Sequence, residues 1–331
     1  MTGGCCVVTT IQEPTPSLRA LAPRLAETRT PMIVVGDKKG PARFELPGAR
    51  FYSLEEQVGL DFRLAKLLPT GHYVRKNLGY LLALRENPAW IFETDDDNAP
   101  KPNWQVKAAR VAAARTVRQK GWVNVYRCFT GANIWPRGLP LRHARDGAPM
   151  AEAESEVHAP IQQLLADGAP DVDAVWRLSV GAEPFAFDGG TAVALARGAW
   201  CPFNSQSTWW FPEAYPLLYL PSTCTFRMTD IWRSLVAQRC LWELGGCVAF
   251  HAPEVLQERN AHDLMRDFAD EVPGYLQNER VADILASLSL RRGAGAVVDN
   301  LAACYDALIA QGVLGADERG LVRAWIADLS S

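Results

Sequence analysis

The sequence predicts an α/β protein with a mixed, mainly parallel β-sheet and a helical C-terminal extension. The N-terminal half alternates short apolar runs with amphipathic helical patterns, which is typical of βαβ units. From about residue 263 onward the pattern is helical throughout. The 331 residues are enough for one large domain with an appendage. We therefore expect a main domain over residues 1–262 and a helical extension over residues 263–331 that packs on it.

The spacing of apolar residues defines the N-terminal elements. Short apolar runs predict buried strands, and the first helix is indicated by Leu18, Leu21 and Leu25, which share one helical face. The predicted elements, in order, are a strand at residues 5–11, a helix at 13–28, a strand at 31–37, a helix at 72–87 and a strand at 89–97.

The second half of the main domain is less regular. A stretch rich in proline and glycine from residue 131 to about 220 is typical of loops that shape a binding pocket. A glycine pair, Gly245 and Gly246, ends the most regular helix. The predicted elements are a helix at about 104–119, a strand at 121–129, a helix within the loop-rich stretch at 156–168, a helix at 230–246 and a strand at 247–253.

Composition excludes several classes of protein. With 48% hydrophobic and 21% charged residues the chain is typical of a globular protein, and no apolar run reaches the ~20 residues of a membrane-spanning helix. A net charge of −3 gives no general attraction to nucleic acid. The N-terminus has no signal-peptide pattern, so we expect a cytoplasmic protein. The eight scattered cysteines, without a CxxC pair, predict free thiols.

Three consecutive carboxylates, Asp95, Asp96 and Asp97, follow a predicted buried strand. Ligands bind at the carboxyl ends of strands in such sheets. Two aspartates separated by one residue, Asp95 and Asp97, suit Mg²⁺ or Mn²⁺, which prefer oxygen ligands and also bind diphosphates. The alternative is an acidic first turn of the next helix, or a solvated loop.

Two further polar segments follow the same logic. Asp37 and Lys38 end the second predicted strand, where a nucleotide can be bound, although an ordinary polar turn explains them equally well. Arg75 and Lys76 lie near a helix start, where cations and backbone amides can bind phosphate, and the alternative is a solvated helix face. Thr9, at the end of the first predicted strand, is a further binding candidate.

Other candidates lie later in the chain. Asp230 begins the predicted helix at residues 230–246 and is either its N-cap or a functional carboxylate. For a larger group of residues two interpretations stay open: contact with a sugar, a phosphate or a metal ion, or a structural role. These residues are Arg137, Arg142, His143, Asp171, Asp173, Arg177, Asn204, Gln206, Trp209, Trp210 and His262.

Taken together, these segments resemble a known family. "VVGDKKGP", "IFETDDDN", "CPFNSQSTWW" and "FRMTDIWRSLVAQRCLWELGG" are similar to the STELLO-type proteins, which are like GT-A glycosyltransferases. The similarity to the reversibly glycosylated polypeptides, which act as UDP-arabinopyranose mutases, is more distant. The resemblance covers about residues 34–263. The chain lacks the N-terminal membrane anchor of plant STELLO proteins, so a Golgi setting is not expected.

The resemblance implies a GT-A-type fold that binds a nucleotide-diphospho-sugar at the carboxyl edge of its sheet. It places Asp37 near the base, Arg75 and Lys76 near the diphosphate, and Asp95 with Asp97 on Mn²⁺ or Mg²⁺. In addition, His262 is a candidate late metal ligand, Asp96 a candidate cofactor contact, and Asp230 a candidate general base on the acceptor side.

The resulting functional hypothesis is a metal-dependent glycosyltransferase. Its donor is a nucleotide-diphospho-sugar, with a UDP-sugar favoured, and its acceptor is open: a saccharide, a small molecule, a protein or a modified nucleic acid. One alternative is a nucleotide-sugar mutase. The other is a non-catalytic scaffold with a GT-A-like fold.

Overall fold

An eleven-stranded sheet forms the centre of the computed structural model, which describes residues 3–181, 184–258 and 263–329. The strands are β1 (Cys5–Thr9), β2 (Met32–Val35), β3 (Ala49–Tyr52), β4 (Ile91–Thr94), β5 (Asn98–Pro100), β6 (Arg110–Val117), β7 (Gly121–Trp122), β8 (Ser155–His158), β9 (Ile161–Gly168), β10 (Ala192–Leu195), β11 (Ala199–Trp200), β12 (Ser207–Trp210) and β13 (Val248–Gln257). The α-helices are α1 (Pro16–Glu27), α2 (Leu54–Val58), α3 (Lys76–Arg85), α4 (Ala174–Ser179), α5 (Thr229–Leu244), α6 (Leu264–Ser287), α7 (Val297–Ala310) and α8 (Glu318–Asp328).

The sheet has the order β3-β2-β1-β4-β12-β9-β13-β10-β6-β8, with β5 paired to β13, and β7 and β11 form a separate pair. Strands β1 to β4, β8, β9 and β13 run in one direction, and β5, β6, β10 and β12 run in the other. The predicted α/β class with a mixed sheet is therefore confirmed. Because β1, β2, β4, β9 and β13 share a direction, their carboxyl ends lie at one edge, which we call the carboxyl edge.

The predicted strands and helices of the N-terminal part are confirmed, with shorter bounds. Every residue of β2 and β4 is buried, as expected for parallel strands covered on both faces. Helix α1 begins after Thr15, whose side chain accepts a hydrogen bond from the amide of Leu18. Helix α3 lies directly against β1 and β2, because a Cβ at Gly79 would come within 2.7 Å of Val7 and 2.9 Å of Val35. This close approach brings the start of α3 to the carboxyl edge.

The predicted helix at about residues 104–119 is wrong. Residues 110–117 form strand β6, between β10 and β8. The segment is rich in alanine and arginine, which favour helices. Pairing with two strands and burial of Ala114 and Val117 override that local preference.

The predicted helix at residues 156–168 is also wrong, because this segment forms β8 and β9. Strand β9 lies inside the sheet, where residues 161–167 are all buried. Two glutamines of β9 are buried, and backbone carbonyls accept from their side chains: Gln162 donates to Ala108 and Ala159, and Gln163 donates to Leu164 and Ser207.

Two smaller corrections concern residues 121–129 and the start of α5. Only Gly121 and Trp122 pair as a strand, and a 3₁₀ helix, Val125–Cys128, follows. Helix α5 is confirmed, with Gly245 in the left-handed conformation at its end (φ 72°). Its N-cap is Met228, however, so of the two alternatives for Asp230 the structure excludes the N-cap.

Helices α6 to α8 pack against the part of the chain that carries the sheet. In α8, the indole of Trp325 donates to the carbonyl of Pro216 (3.0 Å), and Asp328 accepts from the amides of Arg63 and Leu64 (3.0 and 2.9 Å). In α7, the hydroxyl of Tyr305 donates to the carbonyl of Tyr219 (3.2 Å). All eight cysteines are free thiols, as predicted. No helix within the described ranges is long and apolar enough to cross a membrane.

Candidate functional site

A cavity of about 820 Å³ opens at the carboxyl edge of the sheet. Loops after β1, β2, β4 and β9 line it, together with the last residue of β13 and the residues that precede the oppositely directed β12. This is where an α/β sheet places ligands. Among the predicted site residues, the lining contains Thr9, Asp37, Lys38, Arg75, Asp95, Asp96, Asp97, Arg137, Asp171, Asn204, Gln206 and Asp230.

At one end of the cavity, Asp37 holds two loops together. Its carboxylate accepts from the amides of Gly71 and His72, both at 2.8 Å. Lys38 and Lys39 extend from the same turn and are exposed. Burial lowers the pKa of His72, against the opposing charge of Asp37, and its Nδ1 accepts from the amide of Val74 (3.2 Å). The imidazole is therefore neutral at pH 7 and has Nε2–H available as a donor.

Arg75 reaches the same end of the cavity from the 3₁₀ turn before α3. Its side chain is buried, with Nε donating to Gln57 Oε1 (2.5 Å) and Nη1 to the carbonyl of Leu68 (3.3 Å). Its Nη2 is buried without a hydrogen-bond partner among the described residues. Burial lowers the pKa of this guanidinium, although the charge of Asp37 opposes the shift. A buried cation with an open donor is suited to an anionic ligand.

Lys76 is placed differently from its predicted position at the diphosphate. It is fully buried and is not part of the cavity lining. Its Nζ donates to the carbonyl of Thr94 (2.9 Å), to Asp95 Oδ1 (3.2 Å) and to the carbonyl of Ser205 (3.3 Å). All three N–H donors of the ammonium group are used. Lys76 therefore neutralises the charge of Asp95 from outside the cavity lining, and it connects β4 to the residues before β12.

The three aspartates after β4 have different environments. Asp96 fastens the loop, because its side chain accepts from Thr10 and its backbone carbonyl accepts from Thr15. Asp97 accepts from Gln257 Nε2 (2.9 Å) and from Asn98 Nδ2 (3.1 Å).

These environments shift the carboxyl pKa values upward. Burial, helped by the charge of Asp95, raises the pKa of Asp97 to about 7, and the hydrogen bond from Gln257 opposes the shift. Burial also raises the pKa values of Asp95 and Asp96, against the opposing effects of Lys76 on Asp95 and of Thr10 on Asp96. Burial is the main cause in all three cases, because it disfavours the ionised carboxylate, and a nearby cation favours the ionised form.

Few side chains in the described part of the chain are arranged as metal ligands. Among the residues that the structure describes, no group of three or more His, Cys, Asp or Glu side chains is arranged to hold a metal ion. Asp95 and Asp97 both line the cavity, and the predicted third ligand, His262, lies outside the described residues. Two carboxylates with water and substrate phosphates fit Mg²⁺, which seldom uses a complete protein cage.

At the other end of the cavity, Arg137 is clamped between two aspartates. Its Nε and Nη2 donate to Asp171 (2.8 and 2.9 Å), and its Nη1 and Nη2 donate to Asp230 (both 2.9 Å). Asn204 Nδ2 donates to Asp171 (2.8 Å), and the amide of Ser205 donates to Asp230 (3.2 Å). Arg137 is only 6% exposed. Arg137 is thus part of a fixed wall of the cavity.

The clamp determines the protonation of Asp230. Burial alone would raise its pKa, but the charge and hydrogen bonds of Arg137 outweigh burial and lower the pKa to about 2. A general base works best with a pKa near the working pH. The environment of Asp230 therefore does not favour the base role expected from the sequence.

Sequence reasoning missed the aromatic side of the cavity. Phe226 is 48% exposed, and its ring lies 4.7 Å from that of Tyr73 and 5.3 Å from that of His72. The hydroxyl of Tyr73 accepts from the amide of Asp230 (2.9 Å), which joins the aromatic group to α5. The only sequence signal is that His72 and Tyr73 lie just before Val74 and Arg75, and that Phe226 lies in the short segment before α5.

The segment that carries Phe226 is held by the C-terminal helices. Glu318 of α8 is buried and accepts from the hydroxyl of Tyr219 and from the amides of Ser222 (3.0 Å) and Thr223 (2.8 Å). In α6, Glu271 pairs with Arg227 (2.7 Å), which lines the cavity. Helices α6 and α8 therefore position one wall of the site.

The remaining sequence candidates lie outside the cavity lining. Arg142 pairs with Glu279, and His143 contacts Asp146 (2.7 Å). The others have structural roles: Asp173 is the N-cap of α4, Arg177 donates to the carbonyl of Pro170, and Trp209 and Trp210 are core residues.

Comparisons with solved structures give low similarity. Glucosyl-3-phosphoglycerate synthase from Mycobacterium tuberculosis in complex with phosphoglyceric acid aligns with a TM-score of 0.41 and 10% identity, over 83% of this chain and 79% of that one. A second structure of the M. tuberculosis synthase aligns with a TM-score of 0.39 and 12% identity, over 83% of this chain and 80% of that one.

Sequence comparisons give closer relatives. The probable glycosyltransferase STELLO2 of Arabidopsis thaliana is 33% identical over 270 residues, which cover 75% of this chain and 35% of the relative. STELLO1 of the same plant is 32% identical over 250 residues, which cover 67% of this chain and 31% of the relative. The chain thus spans about a third of the length of these curated relatives. A family model of the STELLO glycosyltransferases matches residues 227–331. The predicted resemblance is confirmed: the chain is similar to the STELLO glycosyltransferases over most of its length.

Proposed function

We propose that this chain is a metal-dependent glycosyltransferase of the GT-A type, which moves a sugar from a nucleotide-diphospho-sugar to a hydroxyl group of an acceptor. The main support is the cavity at the carboxyl edge. It brings exposed lysines, an open buried guanidinium and paired carboxylates together in a space of about 820 Å³. The kinship with the STELLO glycosyltransferases supports the same reaction class.

The donor occupies the end of the cavity near Asp37. Lys38 and Lys39 attract its negative charge, and the open Nη2 of Arg75 donates to a phosphate oxygen. The neutral imidazole of His72 offers Nε2–H to an acceptor atom of the nucleotide. A UDP-sugar is the donor that we favour.

Asp95 and Asp97 would hold Mg²⁺ or Mn²⁺ against the diphosphate. When bound, the ion stabilises the negative charge of the departing nucleoside diphosphate. Lys76 keeps Asp95 in place, and Gln257 does the same for Asp97. The side chain of Asp96 accepts a hydrogen bond from Thr10, so Asp96 contributes to donor binding by fixing the loop.

The acceptor occupies the end near Arg137, Asp171 and Asp230. Asp230 stays ionised at any working pH and orients the acceptor hydroxyl, while Arg137 keeps the carboxylates of Asp171 and Asp230 fixed. A fixed arrangement of this kind lowers the barrier by removing the cost of orienting the reactants.

Calorimetry with UDP tests this proposal. The wild-type protein should bind UDP in the presence of Mn²⁺ and lose most of that affinity when a chelator removes the metal. Donor turnover measured with UDP-sugars then separates a transferase from a binding scaffold. UDP affinity that is the same with and without the metal would contradict metal dependence, and no UDP binding at all would contradict a UDP-sugar as the donor.

A further inference from the structure

The two ends of the cavity differ in the balance of charge. At the donor end, Lys38 and Lys39 are exposed and the Nη2 of Arg75 is open. At the other end, both guanidinium groups are already paired with carboxylates. Arg137 pairs with Asp171 and Asp230, and Arg227 pairs with Glu271.

This pairing makes the second end unfavourable for an anion. Both guanidinium groups are already occupied by carboxylates, so neither offers an unpaired positive charge to a further anion. A phosphate or carboxylate there would have to displace one of those partners and leave a buried charge unpaired, which is costly. Charge complementarity therefore disfavours an anionic ligand at this end of the cavity.

The same end has open hydrogen-bond acceptors. Asp171 Oδ1 accepts from Arg137 Nε, and Asp230 Oδ1 accepts from Arg137 Nη1, and no other described donor is within bonding distance of either atom. An ionised carboxylate oxygen has room for two such bonds, so each retains one for a ligand. Hydroxyl groups are the donors that match this arrangement without adding charge.

An apolar face lies in the same cavity and is linked to Asp230 through Tyr73, whose hydroxyl accepts from the amide of Asp230 (2.9 Å). The ring of Phe226 is 48% exposed, although it lines the cavity and packs on Tyr73. Exposed aromatic rings bind the apolar faces of flat or ring-shaped ligands. Glu318 and Glu271 hold the segment on both sides, so the ring is presented by a fixed segment.

We propose that the acceptor is an uncharged polyhydroxylated ring, such as a neutral glycoside, which stacks on Phe226 and donates hydroxyl hydrogen bonds to Asp171 and Asp230. This inference rests on the proposed function for the identity of this end as the acceptor side. It excludes sugar phosphates, uronic acids and other acidic acceptors as preferred substrates.

The test is calorimetry on the full chain with Mg²⁺ and UDP, using methyl glycosides of common hexoses and pentoses as neutral probes. The same sugars as 6-phosphates or uronates are the charged probes. We expect at least one neutral glycoside to bind at least tenfold more tightly than its charged counterparts. Phe226→Ala should weaken that glycoside at least tenfold and weaken UDP by much less, whereas Phe226→Tyr should restore binding.

The matched control is Leu276→Ala, which removes an exposed apolar side chain on α6 outside the cavity lining and should change neither affinity. Tighter binding of a charged probe would overturn the inference, and so would a Phe226→Ala variant that loses UDP but not the glycoside. UDP binding without any glycoside binding would overturn this inference but leave the proposed donor intact. Glycoside binding without UDP binding would support the inference and contradict the proposed donor.

Discussion

Arg137 and Asp230 form a two-point ion pair at the wall of the cavity, with Nη1–Oδ1 and Nη2–Oδ2 distances of 2.9 Å. Arg137 makes a second pair with Asp171, so one guanidinium joins the loop after β9 to the first turn of α5. Both side chains of the Arg137–Asp230 pair are about 6% exposed. Paired charges at this depth are stable together and costly apart.

Asp230→Asn tests whether Asp230 orients the acceptor or acts as a base. Because the pKa of Asp230 is about 2, we expect an orienting role, with turnover of a UDP-sugar within about tenfold of wild type. A positioned general base contributes ~10²–10⁴-fold, so a loss of that size, with donor affinity unchanged, would restore the base role.

The ion pair also makes a stability prediction. Asp230→Ala leaves Arg137 with Asp171 alone and should lower the free energy of unfolding by ~3 kcal/mol. In an Arg137→Met background, Asp230→Ala should lower the free energy of unfolding by less. The difference between the two effects, which is the coupling energy, should be ~1–3 kcal/mol. Denaturant unfolding of the four proteins measures this coupling, and simple additivity would mean that the pair contributes nothing.

Asp97→Asn should abolish metal-dependent UDP binding while leaving the fold intact. The change keeps the size of the side chain but removes one of the two carboxylates available to the ion. Titration of UDP with and without Mn²⁺ measures the effect. Asp299→Asn, on the exposed face of α7, is the control and should behave as wild type. Unchanged metal dependence in Asp97→Asn would remove this residue from the metal site.

The raised pKa of Asp97 predicts how pH affects the metal-free protein. Its folded pKa of about 7 lies above the unfolded value of 3.8, so the folded state holds the proton more tightly. The protonated carboxyl of Asp97 therefore stabilises the folded state at low pH, and this stabilisation is lost as pH rises from about 4 to about 7. Protons compete with Mn²⁺ in the same window, so Mn²⁺ affinity should increase as pH rises to about 7. Asp97→Asn should lack this part of the pH dependence in denaturant unfolding between pH 5 and pH 8.

Arg75→Ala should weaken UDP far more than uridine, because the open Nη2 is expected to contact phosphate and not the nucleoside. Loss of a charge-assisted hydrogen bond corresponds to ~1.5–3 kcal/mol. Arg85→Ala is the control at the far end of α3, where the guanidinium lies 3.9 Å from the ring centroid of Phe62. Equal weakening of UDP and uridine would place Arg75 away from the diphosphate.

Glu318→Ala should loosen the segment that carries Phe226. The change leaves the amides of Ser222 and Thr223 without their buried acceptor, which should lower the free energy of unfolding by ~2–4 kcal/mol. Protease cleavage near residues 222–227 should become faster, and UDP affinity should stay within about twofold. A variant with wild-type cleavage rates would show that α8 does not support this wall.

The sequence by itself determined the N-terminal alternation of strands and helices, the position of the three aspartates after β4, helix α5 and the helical C-terminal part. Each of these has a local cause: a short apolar run, apolar spacing of about 3.6 residues, or a glycine pair at a helix end. Because all parallel strands present their carboxyl ends at one edge, Asp37 and Asp95 could be expected near each other from chain order alone.

Only the tertiary structure decided β6, β9 and the environments of the charged side chains. An alanine-rich segment became β6 because strands on both sides provided hydrogen bonds that local propensity does not include. Lys76 is buried behind Asp95, and Arg137 is fixed by Asp171 and Asp230, because strands and loops distant in sequence converge there. Burial and pairing of a charge depend on such non-local neighbours, and they set its pKa and therefore its chemistry.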